Sequence, residues 1–204
     1  EDPYFIDYAS ENIDIIFHLA ALIGIPYSYI SPLSYVKTNI EGTVNLLETS
    51  KKRNIKMIHT STSECYGTAI YTPIDESHPL QGQSPYSASK ISADKIIESY
   101  HNSFDANIIT IRPFNVFGPG QSARAIIPTI ISQLIQSNNI EVGSTSPIRD
   151  FTFVDDTVNG FIKAAQYENI SGELINIGNG KGISIKDLIH KCAEILKIDN
   201  INII

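Results

Sequence analysis

The chain has 204 residues, 42% of them hydrophobic, and a net charge of −7. That is enough apolar material for one packed domain or one and a half, and the acidic balance argues against a nucleic-acid or anionic-membrane surface. Cys65 and Cys192 have no C-x-x-C spacing and the five histidines (18, 59, 78, 101 and 190) have no ligand spacing, so a reducing cytoplasm and no metal site are expected. No apolar run approaches the roughly 20 residues of a membrane span, and no signal peptide is visible. The chain opens on Glu-Asp-Pro without a methionine and reads as a piece of something longer.

Strand-length apolar runs alternate with helical patterns. Residues 13–20 (IDIIFHLA) predict a buried strand. After the Ser31-Pro32 cap pair a helical pattern runs to about Arg53. Residues 56–60 predict the next strand, 85–104 a long helix and 107–111 a third strand. Continuous rather than alternating hydrophobicity means parallel strands covered on both faces, so the expected fold is doubly wound α/β. Beyond Arg112 come the turn-rich FNVFGPGQ, a helix over 125–136, a short strand at IEVG, and RDFTFV leading into a helix capped near Asp155 or Asp156. ELINIG, a GNGKG loop and an amphipathic helix from Ser184 to about Leu196 follow. The expected division is 1–115 as the larger domain and 116–204 as a smaller lobe interleaved with it.

A doubly wound sheet binds ligands at the carboxyl ends of its strands. Three segments emerge there: HLAA (18–21), STSE (61–64) and RPFN (112–115). HTSTSECYG (59–67) places hydroxyl and carboxyl groups directly behind an apolar run, and pleat alternation would set Thr62 and Glu64 on one face. Tyr86 and Lys90, at i,i+4, share a helix face, and a lysine ammonium there would depress the phenol toward use as a base. Arg149 suits a phosphate or base contact, and Arg124 a substrate or structural role. The plainer alternatives are that Thr62 and Ser63 cap a turn, that His18 satisfies a backbone group, that Cys65 is a small packed residue, and that Tyr27, Tyr29 and Tyr35 are core aromatics.

HLAA, the N-x-x-G-T of Asn39–Thr43, STSECYG, SPYSASK, RPFNVFGP and RDFTFVDD resemble, in order, the motifs of the extended short-chain dehydrogenase/reductases that act on nucleotide sugars. The resemblance implies a Rossmann-type domain with a substrate lobe, NAD as cofactor, and a Thr62–Tyr86–Lys90 catalytic triad. It implies that Ala20, Ala21 and Pro113 lie beside the cofactor, together with Tyr86 and Lys90, and that Asn115 faces the substrate diphosphate. The family's glycine-rich phosphate loop is absent; the strand at 13–20 corresponds to the fourth of the dinucleotide domain, so about 60–80 residues are expected ahead of it. Gly178, Gly180 and Gly182 have G-x-G-x-G spacing and read as a turn.

Epimerases of this family commonly carry a small or hydroxyl residue two positions beyond the catalytic hydroxyl; here that position is Glu64. A Thr-x-Glu arrangement resembles the 4,6-dehydratase branch, in which the carboxylate takes the carbon-5 proton of a 4-keto sugar and then protonates the departing carbon-6 hydroxyl. Ser63, placed to meet substrate, resembles the GDP-mannose dehydratases, the UDP-glucuronate decarboxylases and the dehydratases of legionaminic-type pathways. ALIGIPYSYISPLSYV and PLQGQSPYSASK most resemble the last, whose substrate is a UDP- or GDP-linked N-acetylglucosamine. The resemblance also implies a homodimer through helices 32–53 and 85–104. The alternatives are a 4-epimerase, a UDP-glucuronate decarboxylase, and a non-catalytic nucleotide-binding module on the same scaffold.

Overall fold

A computed structural model describes residues 2–204. The chain divides into two compact units, residues 1–113 with 158–177, and residues 114–157 with 178–204. In the first, strands β1 (Ile15–His18), β2 (Lys56–Thr60), β3 (Ile108–Pro113) and β7 (Leu174–Ile177) form one parallel sheet in the order β1-β2-β3-β7. The ELINIG strand, read from sequence with the second half of the chain, thus belongs here as β7.

The central strands carry apolar side chains toward both faces because both faces are covered. Met57 and Ile108 pack on one side against Leu47 of α4 (Gly42–Arg53) and Ile97 of α5 (Pro85–Phe104). On the other side Ile58, Ile109 and Ile111 meet Phe161 and Ala164 of α7 (Val154–Gln166). Each such side chain stabilises the fold by about 1.5–3 kcal/mol. Gly160 lets α7 lie against β7, since a Cβ there would run into Ile177. The strand predicted at 13–20 is shorter than expected and is buried only at His18. β1 is an edge strand, and Ile13, Ile15, Phe17 and Leu19 are exposed on alternate positions because no described element covers them.

The helices follow their caps. Ser84 accepts from Ser87 N–H and Ser87 Oγ accepts from Ser84 N–H, closing a capping box with Pro85 behind it, and Asp105 ends α5 in the left-handed region at φ 53°. Around the predicted helix at 32–53 the structure has α2 (Ile25–Ile30), α3 (Pro32–Tyr35), a π-helical stretch Val36–Glu41, and then α4, which ends at a left-handed Asn54. The π stretch turns the side chain of Asn39 inward, where it accepts from Leu22 N–H (2.8 Å) and donates to Leu22 O (3.0 Å) and Ser89 Oγ (2.9 Å). One asparagine thereby ties the loop after β1 to α5.

In the second unit β4 (Asn115–Phe117), β6 (Ile148–Phe153) and β8 (Gly182–Ser184) form one sheet, and β5 (Asn139–Ile140) pairs with β9 (Asn202–Ile203). Ile130 and Leu134 of α6 (Ile126–Gln136) pack with Ile140 and with Leu188 and Ile189 of α8 (Ile185–Leu196). Asp155 and Asp156 stand inside the first turn of α7, where they complement the helix dipole rather than cap it. The GNGKG loop is a turn held by one carboxylate, because Asp150 accepts from Asn179 N–H (2.9 Å) and Gly180 N–H (2.7 Å). Those are the donors a phosphate would need.

Candidate active site

β1, β2 and β3 are parallel and in register, His18 beside His59 and Thr60 beside Ile111, so their carboxyl ends share one edge of the sheet. Ala20 is exposed and Ala21 half-buried just beyond β1; Pro113 is half-buried at the end of β3. β2 stops at Thr60. Ser61 N–H still donates to Ile111 O (2.7 Å), and then the chain turns. Thr62 is extended and Ser63–Tyr66 is a single 3-10 turn, with Thr62 Oγ1 accepting from Glu64 N–H (3.2 Å) as its cap. Thr62 and Glu64 are therefore brought together by a capped turn, not by the pleat of a strand. Gly67 closes the turn at φ 64°, a position where a Cβ would also sit 2.8 Å from Gln81.

α5 faces this turn with Tyr86, Lys90 and Asp94, which are spaced i, i+4, i+8 and are 7%, 3% and 5% exposed. The Thr62 hydroxyl lies within hydrogen-bonding reach of the Tyr86 phenol, and the Glu64 carboxylate is near enough to act on it electrostatically. Tyr35 packs edge-on against the Tyr86 ring, 6.2 Å between centroids, and is itself anchored by donating to Gly24 O (2.5 Å). Of the three tyrosines read as pocket or core, Tyr35 is buried, while Tyr27 and Tyr29 are exposed.

Lys90 does not do what its spacing suggested. Its ammonium donates to Thr60 O (2.7 Å) and stands 3.5 Å from His59 Nε2. Burial pushes the Tyr86 phenol up to about 12, the Thr62 hydrogen bond pulls against that, and Cys65, Glu64 and Asp94 push it further up. The expectation of a phenol depressed by Lys90 is corrected: desolvation wins. Burial also lowers Lys90, opposed by Asp94 and then Cys65.

Beneath these groups lies a buried ionic cluster that the sequence reading missed. Arg112, 2% exposed, donates to Asp94 Oδ2 through Nη2 (2.7 Å) and Nε (3.2 Å). Ser61 Oγ donates to the same oxygen (2.6 Å), and His59 Nε2 stands 3.4 Å from Oδ1. The guanidinium lies over the Tyr66 ring at 4.9 Å, and Tyr66 OH donates to Asn176 Oδ1 (2.8 Å). Burial alone would raise Asp94, but His59, Arg112 and Ser61 outweigh it and hold the carboxyl below its ordinary range. An acid one turn beyond the lysine was the available signal. Ser63 is half-buried in the turn. Asn115 (half-buried), Arg124 and Arg149 (both exposed) belong to the second unit, where Arg149 donates to Ile148 O (2.9 Å).

His18 satisfies a side chain rather than the backbone. Thr43 Oγ1 donates its proton to Asn39 O (2.7 Å), so His18 Nε2–H is the donor to Thr43 (2.9 Å). Burial, then His59 and Lys90, hold His18 at about 3; burial, then Lys90, hold His59 at about 4. Both are neutral in the folded state and take up protons on unfolding below about pH 6.5, so the unfolded state binds more protons there and stability falls with pH. Stability is expected to be complete above that pH and to drop by roughly 1.4 kcal/mol per pH unit for each histidine toward pH 4–5. Urea midpoints taken between pH 7.5 and 4.5 check this; a flat profile down to pH 5 contradicts it.

The parallel sheet, the hydroxyl-bearing turn at its edge and a Tyr-x-x-x-Lys helix across from it define a scaffold of the short-chain dehydrogenase/reductase type. The chain belongs to the NAD-dependent epimerase/dehydratase family: residues 8–202 match the family described as GDP-mannose 4,6 dehydratase. It is similar to the human dTDP-D-glucose 4,6-dehydratase, 30% identical over 98% of this chain and 58% of that protein. It is also similar to a UDP-glucose 4-epimerase of Mycolicibacterium smegmatis, 34% identical over 86% of this chain and 58% of that protein. The solved UDP-glucuronic acid 4-epimerase of Bacillus cereus, in complex with UDP-glucuronic acid and NAD, superposes with a TM-score of 0.91 at 32% identity, over 100% of this chain and 67% of that one. The chain spans little more than half the length of these curated relatives. Among the described residues no His/Cys/Asp/Glu group could hold a metal, and no helix is long and apolar enough to cross a membrane.

Proposed function

We propose that the protein carrying this chain is an NAD-dependent nucleotide-sugar 4,6-dehydratase that forms a 4-keto-6-deoxy sugar. One observation carries the choice of dehydratase: a half-buried carboxylate, Glu64, sits on the same capped turn as Thr62 and within electrostatic reach of the Tyr86 phenol. The residues present fit the nicotinamide-ribose end of NAD. Lys90 spends one N–H on Thr60 O, and its ammonium has further N–H groups to offer a diol at the strand edge. Ala20, Ala21 and Pro113 border the same edge. When bound, NAD supplies the acceptor that takes hydride from carbon 4 and returns it to carbon 6.

The chain's own groups do the rest. Tyr86 exchanges a proton with the carbon-4 hydroxyl, with Thr62 hydrogen-bonded to both in turn, and Lys90 holds the ribose. Once carbon 4 is a ketone, the Glu64 carboxylate removes the acidified carbon-5 proton. The same group then donates that proton to the departing carbon-6 hydroxyl, which leaves as water, and a proton delivered to carbon 5, equivalent to the one Tyr86 took up, completes the return of hydride to carbon 6. Asn115, Arg124, Arg149 and Ser63 are assigned to the nucleotide sugar, of which a UDP- or GDP-linked N-acetylglucosamine, as in legionaminic-type dehydratases, is the proposed form. A homodimer belongs to the same reading: α4 and α5 lie side by side, with Lys51 over the Tyr100 and Phe104 rings, and offer a common two-helix face to a second copy.

The second reading is a nucleotide-sugar 4-epimerase, favoured by the 34% identity to the mycobacterial epimerase. The test is mass spectrometry of products from the full-length protein with a small panel of UDP-, GDP- and dTDP-sugars. A product lighter by one water supports the dehydratase. A product of unchanged mass but altered carbon-4 configuration overturns it in favour of the epimerase.

A further inference from the structure

Asp94 has no part in the chemistry set out above, yet its carboxylate joins three pieces of the site. It sits on α5 one turn beyond Lys90 and two beyond Tyr86. It accepts from Ser61, the residue immediately before Thr62, and from Arg112 of β3, whose guanidinium backs the Tyr66 ring at the far end of the Ser63–Tyr66 turn. Both ends of the turn that presents Thr62 and Glu64 therefore rest, directly or through Arg112, on this one side chain. The groups that face Lys90 have few charges among them. His59 on β2 and His18 on β1 are neutral at about 4 and 3, and the Cys65 thiol and Tyr86 phenol keep their protons, each pushed up to about 12 by burial. Arg112 is a cation already paired to Asp94. The buried ammonium of Lys90 requires an anion, and Asp94 is placed to be it: Asp94 Oδ1 and Lys90 Nζ flank one atom, His59 Nε2, at 3.4 and 3.5 Å.

We propose that Asp94 is a positioning residue of this site: its carboxylate clamps the Ser61–Tyr66 turn against α5 and serves as the counter-ion of Lys90. The proposal rests on Thr62, Glu64, Tyr86 and Lys90 being the working groups. It separates Asp94 from a plain core ion pair, whose loss would lower stability without changing how Lys90 titrates.

The test uses the full-length protein with Asp94→Asn, Asp94→Glu and the double variant Asp94→Asn/Arg112→Met. The last removes the guanidinium together with its carboxylate, so that Lys90 alone loses its anion, and is the variant that keeps its fold if the single one does not. Lys90 is followed by NMR of lysines labelled at Cε, assigned by Lys90→Arg, and turnover is followed across a pH series. In the folded charge-removing variants Lys90 is expected to titrate at lower pH than in the parent, kcat to fall by about 10²-fold with KM little changed, and Asp94→Glu to restore most of both. A folded double variant with the parent's Lys90 titration overturns the proposal, as does a loss of kcat that Asp94→Glu fails to restore. If the parent turns over no nucleotide sugar, the functional reading fails, while the Lys90 titration still decides the role of Asp94.

Discussion

Glu64→Gln is expected to abolish the 6-deoxy product while carbon-4 oxidation persists. Glutamine keeps the size and shape of the side chain but neither accepts a proton as a base nor returns one as an acid. A positioned general acid/base contributes about 10²–10⁴ in rate, and the loss of 6-deoxy product should fall in that range. The substitution spares the local structure, because the Thr62 cap uses the backbone N–H of residue 64 and the turn is closed by Cys65 and Gly67 N–H groups donating to Thr62 O and Glu64 O. Product mass and the absorbance of reduced cofactor, read on the same sample, report the two half-reactions separately. Undiminished formation of 6-deoxy sugar would place the eliminating base elsewhere.

Tyr86→Phe is expected to remove all turnover, by about 10²–10⁴-fold, whichever nucleotide-sugar reaction is assayed. The phenylalanine ring retains the edge-on packing against Tyr35, so what is lost is the hydroxyl and its bond to Thr62. Losing that bond lowers stability by about 1 kcal/mol, measured by urea titration, too little to account for the rate. A variant that still oxidises carbon 4 at more than about a tenth of the parental rate would exclude Tyr86 as the acid/base. The two substitutions together discriminate the readings. Both suppress a dehydratase, whereas an epimerase is suppressed by Tyr86→Phe and indifferent to Glu64→Gln.

The phenol held at about 12 bears on how Tyr86 works. At neutral pH it is protonated in this chain, so it is ready as an acid and needs favourable charge at the strand edge to serve as a base. Lys90 sits one turn along the same helix face but directs its proton to Thr60 O, and Glu64 on the opposing turn disfavours the phenolate. The balance between these groups, more than the Tyr-x-x-x-Lys spacing, governs the base form.

Much of this was legible in the sequence because its causes are local. The helix at 85–104 follows from Ser84, Pro85 and the periodicity behind them, and the strand at 56–60 from the short apolar run at Met57-Ile58, with the parallel, doubly covered sheet implied by the alternation of strands and helices. The grouping of Thr62, Glu64, Tyr86 and Lys90 was readable from motif order. What the sequence did not contain was any energy that depends on partners far along the chain. The Arg112–Asp94 pair joins residues 18 apart and the Lys90–Thr60 bond residues 30 apart. The fourth strand of the sheet arrives from residues 174–177, after an excursion through the second unit. Burial decides the protonation of Tyr86, His18 and His59, and burial exists only once those distant segments have packed. Local chemistry nominated the groups of the candidate site; desolvation, which only the tertiary structure imposes, decided which of them carry charge.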